Sequence, residues 1–128
     1  MNFRPPALAA ILIAAVLACG CASAPILGGA INGAKLSDGI VTGTYSNWPN
    51  KAVVEVTIKD GKVEDIKIVH DYAWRGKKAE PVIIARIIET QSTSVDAVTG
   101  ATNSSRVIMN AVQKAIEKAA ASKSDGSK

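Results

Sequence analysis

The chain is poor in the residues that most active sites are built from. It has one histidine, His70, and two cysteines, Cys19 and Cys21. A single imidazole with no carboxylate cluster beside it excludes the common metal-ligand sets. With no Ser or Cys next to a base, hydrolytic chemistry has nothing to run on, and no catalytic residue is assigned. Beyond residue 21 there is no cysteine, so the folded part uses neither disulfides nor thiol chemistry. Cys19-Gly20-Cys21 as a redox or metal pair lacks further ligands nearby. Aromatics are scarce as well: two Trp, two Tyr and one Phe. Neither charge dominates. The 15 basic residues are interleaved with 11 acidic ones for a net +4, without the basic, aromatic-studded clusters that nucleic-acid binding requires. A glycine-rich dinucleotide fingerprint is absent, which excludes direct hydride exchange with a nicotinamide. The run from Ala7 to Ala18 is uncharged and apolar, yet shorter than the roughly 20 residues a membrane-spanning helix takes.

That short run, preceded by Arg4, has the layout of an export signal. Its end, Val16-Leu17-Ala18-Cys19-Gly20-Cys21-Ala22-Ser23, resembles the lipobox of bacterial lipoproteins, in which a small residue precedes a Cys that is diacylated and becomes the mature N-terminus. Ala18 precedes Cys19 and Gly20 precedes Cys21, so either is a candidate for lipid attachment. Neither has the favoured Leu three places before it. The resemblance implies a signal over residues 1–21 and a cell-membrane, lipid-anchored location facing the extracytoplasmic side. Residues 22–37, with Pro25, Gly28, Gly29 and Gly33, read as a flexible spacer that holds a domain away from the bilayer.

The domain itself reads as residues 38–119. Residues 40–46 favour a strand through Thr and Tyr. Asn47-Trp48-Pro49-Asn50 reads as a turn. Residues 52–59 alternate, with Val54, Val56 and Ile58 on one face. Asp60-Gly61 is a hairpin signal, and residues 62–70 return with Ile66 and Ile68 facing inward. Residues 71–78 form a loop. Pro81 suits the first turn of a helix running to about Thr90, with Val82, Ile83, Ile84, Ile87 and Ile88 as its apolar set. Their β-branches make a strand the competitor, but Pro81 and the length favour helix. From Val107 onward Ile108, Ala111, Val112, Ala115, Ile116 and Ala119 recur at helical spacing. Residues 120–128 read as a frayed polar tail. The fold class is α+β, a small antiparallel sheet with two helices packed on one face.

The loop before the last helix carries the chemistry. Ser94-Val95-Asp96-Ala97-Val98-Thr99-Gly100-Ala101-Thr102-Asn103-Ser104-Ser105 is rich in hydroxyls, and Gly100-Ala101 adds little bulk. It feeds a helix N-terminus, where free N–H groups and the helix dipole favour an anion such as phosphate. A helix cap alone needs one hydroxyl; it leaves Gly100-Ala101 and the upstream Asp96 without a purpose.

Asp96-Ala97-Val98-Thr99-Gly100-Ala101-Thr102 resembles the flavinylation motif of the FMN-binding domain family: Asp, two variable residues, Ser or Thr, Gly, Ala, then Ser or Thr. That family includes the FMN-bearing subunits of sodium-pumping and electron-bifurcating quinone oxidoreductases and many small exported domains. There the last hydroxyl is esterified to the FMN phosphate by an FAD-dependent flavin transferase. The resemblance implies Thr102 as the attachment residue, with Asp96, Thr99, Gly100, Ala101, Ser104 and Ser105 around the cofactor. It extends over the Asp38-Gly39 opening, the strands around Asp60-Gly61 and the last helix.

A flavin also needs a wall for its ring and groups that tune its potential. Trp74 is the first candidate for the wall, then Tyr72 and Trp48; a core cap is the competing role for Trp74. Lys77 or Lys78 could pair with phosphate or reduced flavin, or simply be solvated, and His70 reads as structural. The expectation is a membrane-anchored flavoprotein carrying electrons on covalent FMN, rather than an enzyme with its own substrate site. Its redox partners would be membrane-bound or extracytoplasmic, and nucleic acid is not among its partners. The competing reading is a lipoprotein that holds FMN reversibly as a non-redox binding or sensing module.

Overall fold

Two tight turns set the sheet. The computed structural model describes residues 23–72 and 76–126. Strands β1 (Gly39–Asn47), β2 (Asn50–Lys59) and β3 (Lys62–Tyr72) form an antiparallel meander in the order β1-β2-β3. Trp48-Pro49 joins the first pair and Asp60-Gly61 the second. Asp60 and Gly61 have φ of 53° and 73°, the left-handed pair that a two-residue hairpin favours. The alternation read from β2 holds, with Val54, Val56 and Ile58 buried against Ile66, and Ile68 packed at the margin. Val63 joins the same face three residues before Ile66, which strict alternation forbids. A register shift between Thr57 and Ile58 absorbs the extra residue.

Helices α1 (Glu80–Thr90) and α2 (Thr102–Asp125) cover the inner face, as the α+β reading expects. Pro81 lies in the first turn of α1, which buries Ile83 and Ile87 against the core and leaves Val82 turned outward. The strand alternative for this segment is thereby excluded. α2 crosses β1 and β2 with the whole expected stripe, Ile108 to Ala119, buried. Gly43 permits that approach, because a Cβ there would run into the Ala111 carbonyl and Ala115. Each buried Ile or Val contributes on the order of 1.5–3 kcal/mol by leaving water.

Two expectations fail. Residues 22–37 are not a spacer where the structure describes them. Ala24 and Leu36 are buried in the core, and the segment is strapped along α2. Asn103 Oδ1 accepts from the Ala24 N–H at 2.9 Å, and Asn110 brackets Pro25 and Leu27 through both its amide atoms. Further along, Thr93 N–H donates to Gly29 O and Ile31 N–H to Gln91 O, each at 2.9 Å. Side-chain amides on α2 thus supply the partners that a Pro- and Gly-containing strand cannot find for itself, and the folded unit begins before residue 38. The frayed tail is the second. α2 continues to Asp125 because Ala119 is buried and Lys123 Nζ donates to Ala34 O at 2.7 Å, fastening the last turns to the strap.

Both helices start at one end of the sheet. Asn103, in the first turn of α2, bonds Asn47 at the end of β1. α1 runs the same way, ending at Gln91, which bonds Val63 beside the Asp60-Gly61 turn. The molecule therefore has a motif end and a hairpin end.

Candidate functional site

At the motif end, the chain from Asp96 to Thr102 is held from behind and open in front. Arg86 on α1 donates from Nη1 to the Asp96 carbonyl at 2.6 Å, so the main chain is anchored while the Asp96 side chain is exposed. Ala101 N–H donates to Val98 O at 3.0 Å, closing a turn whose tip is Thr99-Gly100. Gly100 has φ of 82° and nothing within 4 Å of where a Cβ would be. The left-handed backbone, not crowding, is what asks for glycine there.

Thr102 is the first residue of α2, and no side chain caps that helix. Ser105 N–H is the first amide to find a partner, Ala101 O at 2.9 Å. The N–H groups of Thr102, Asn103 and Ser104 have no acceptor among the described residues, and neither does the half-buried Thr102 hydroxyl. Three bare donors, the positive end of a 24-residue helix and a free hydroxyl converge on one spot. This donor set fits a phosphate, and the Thr102 hydroxyl belongs to the same turn.

The hydroxyls at positions 104 and 105 have inward roles. Ser105 is fully buried; its Oγ donates to Ala101 O at 2.7 Å and accepts from Val98 N–H at 3.1 Å. Ser104 is buried and accepts from Asn50 Nδ2 at 3.0 Å. Both hydroxyls stiffen the loop from inside. Sequence reasoning missed the residues they depend on. Asn103 Oδ1 accepts from both Ala24 N–H and Asn47 Nδ2, and its own Nδ2 donates to Asn47 O at 3.3 Å. Asn47 and Asn50 thus tie the Trp48-Pro49 turn to the first turn of α2. The signal was an amide on either side of that turn and another directly after the motif.

Two of the three aromatics considered for the ring wall are placed at this end. Trp48 is 86% exposed and adjoins Asn47. Tyr72 is also exposed, pairs across the sheet with Lys51, and stands edge-on to His70 with ring centroids 4.4 Å apart. Trp74, the first candidate, lies outside the described residues, as do Cys19 and Cys21. Lys77 and Lys78 are exposed between β3 and α1. Beside them Glu80 is pushed up from 4.5 to about 7, first by its own burial, then by a hydrogen bond to Asp71 and that group's negative charge, with Lys77 opposing. Asp71 Oδ2 is buried with no partner among the described residues. A separate concavity of about 900 Å³ opens at the hairpin end, lined by residues such as Asp38, Lys62 and Lys123. No motif residue reaches it.

A family model for the FMN-binding domain matches residues 48–117, more than half of the chain. The chain belongs to the FMN-binding domain family. Within that match fall the Trp48 turn, both β2 and β3, α1, the motif loop and most of α2. The strap and β1 lie outside it. This FMN-binding protein is also similar to an uncharacterized protein of Treponema pallidum (strain Nichols), 32% identical over 87 residues. That similarity covers 66% of this chain and 24% of the relative's length. Family membership supports FMN as the cofactor of the domain, and the bare helix terminus suits its phosphate.

Proposed function

We propose that this FMN-binding domain is a membrane-anchored electron carrier whose FMN is esterified to Thr102. One observation carries the covalent reading: the Thr102 hydroxyl has no partner among the described residues and stands at a helix N-terminus that no side chain caps, within the Asp96–Thr102 motif. Thr102, Asn103 and Ser104 would hold the phosphate with their main-chain N–H groups, and Gly100 lets the backbone approach it. Bound FMN supplies one- and two-electron redox chemistry. Attachment requires Thr102 Oγ1 to displace AMP from FAD at the flavin-side phosphorus, its proton passing to solvent or a base of the transferase. The exposed Asp96 carboxylate is free for that transferase to read, its main chain being fixed by Arg86. Trp48 and Tyr72 are exposed at the same end. The open position of the site suits exchange of electrons with other proteins or membrane carriers better than enclosure of a substrate. Arg4, the apolar run and the small residue before each cysteine support a lipid anchor on Cys19 or Cys21.

Protein co-expressed with a flavin transferase is to be denatured in acid and its flavin fluorescence followed. Fluorescence that stays with the polypeptide is the expected result. If it is released in full, the ester is absent and the reversible FMN-binding reading takes its place.

A further inference from the structure

The strap decides which way the domain faces. It starts at Ala24, at the motif end, and runs beside α2 to the hairpin end, where β1 begins the sheet. Ala24 is fully buried; its N–H donates to the same Asn103 oxygen that accepts from Asn47, the residue before Trp48, and its carbonyl accepts from Arg106 Nη1 at 3.2 Å. The described chain therefore begins next to the first turn of α2 and the Trp48 turn. From Ala24 to Cys21 is three residues, roughly 11 Å at full extension, and to Cys19 five residues, roughly 18 Å. A free spacer over residues 22–37 would instead have allowed about 55 Å.

We propose that the motif end of the domain docks on the bilayer surface, with Trp48 and Tyr72 in the headgroup region and Thr102 facing the membrane. This rests on the lipid-anchor reading of Cys19 or Cys21. The tether is shorter than the domain is long, so an anchored protein cannot present its hairpin end to the membrane without tearing the strap from α2. The exposed side chains suit the contact. Trp48 at 86% and Tyr72 at 61% exposure are the amphipathic aromatics that settle at membrane interfaces. Ile26 and Leu27, exposed on the strap, continue the apolar rim, and Lys51, Lys77 and Lys78 are at hand for anionic headgroups. The partner that exchanges electrons with the flavin is then one held in or at the membrane.

Hydroxyl-radical footprinting of the full-length, flavin-loaded lipoprotein tests this on phosphatidylcholine/phosphatidylglycerol vesicles. Trp48 and Tyr72 report on the motif end. Ile40, exposed and paired with Thr57 near the hairpin turn, reports on the other. Relative to a variant with ten Gly/Ser residues inserted between Ala22 and Ser23 on the same vesicles, Trp48 and Tyr72 oxidation should fall at least threefold and Ile40 oxidation should not change. Equal oxidation in the two proteins, or protection of Ile40 in place of Trp48 and Tyr72, overturns the orientation while leaving the anchor standing. Protein with both cysteines intact that fails to co-sediment with the vesicles removes the anchor, and the orientation with it.

Discussion

The two ends of the sheet differ in how completely they satisfy their own backbone. At the hairpin end, the Asp38 carboxylate accepts from the Asp60 and Gly61 N–H groups at 3.1 and 3.3 Å. Gln91, left-handed at the end of α1, lends its side-chain amide to both the N–H and the C=O of Val63, as a neighbouring strand would. It also reaches Ile88 O, and its carbonyl accepts from Ile31. At the motif end, three N–H groups of the first turn of α2 and the Thr102 hydroxyl are left without partners among the described residues. A helix N-terminus is normally capped, at a cost of about 1 kcal/mol when the cap is lost. The hairpin end thus spends its polar groups on holding the fold, whereas the first turn of α2 keeps donors that the proposed FMN phosphate would take.

That division can be broken by moving each function to the wrong end. The largest effect is expected at Thr102. Thr102→Val keeps the shape and removes the oxygen, so a protein co-expressed with flavin transferase should gain no mass, whereas Thr102→Ser should gain one FMN less water. A flavin still attached in Thr102→Val would transfer the site to Thr99, the exposed hydroxyl at the loop tip. The melting temperature without flavin should be nearly equal in all three proteins.

At the hairpin end the reverse is expected. Gln91→Ala removes the half-buried amide that closes the β3 edge, and should cost about 2 kcal/mol in a urea titration. Its flavin loading should match wild type. Asp38→Ala removes two exposed charge-assisted bonds to the turn and should cost about 1 kcal/mol. Loss of flavin attachment in either variant, at temperatures where it remains folded, would mean the two ends are not independent.

The smallest effect sharpens the comparison at the motif end. Glu80 titrates near 7 in the folded protein against an ordinary value of 4.5. Its contribution to stability is fully present below pH 4.5 and is lost as pH rises through 7, because over that window the native state keeps a proton that the unfolded chain has released. Glu80→Gln should therefore melt with wild type at pH 4.5 and slightly above it at pH 8. Parallel melting curves across that range would show that Asp71 and burial do not hold the proton there.

Local chemistry made part of this protein legible from its residues alone. Asp60-Gly61 prescribes its hairpin because glycine tolerates positive φ and aspartate accepts it more readily than most residues. The β2 alternation prescribes which side meets the helices, and Pro81 starts α1 despite its β-branched residues. The Asp96–Thr102 motif resembled that of the FMN-binding domain family, to which the chain belongs, because its glycine and hydroxyls are contiguous. Folding in three dimensions settled everything carried by side-chain amides across long separations. Asn103, Asn47, Asn110 and Gln91 look like ordinary polar residues until the fold brings them to backbones far away in the chain. They turn the described part of the apparent spacer over residues 22–37 into a strap and bring Ala24 beside the first turn of α2. No local pattern encodes such bonds, because an amide's partner is whichever unpaired backbone group the fold places within about 3 Å of it.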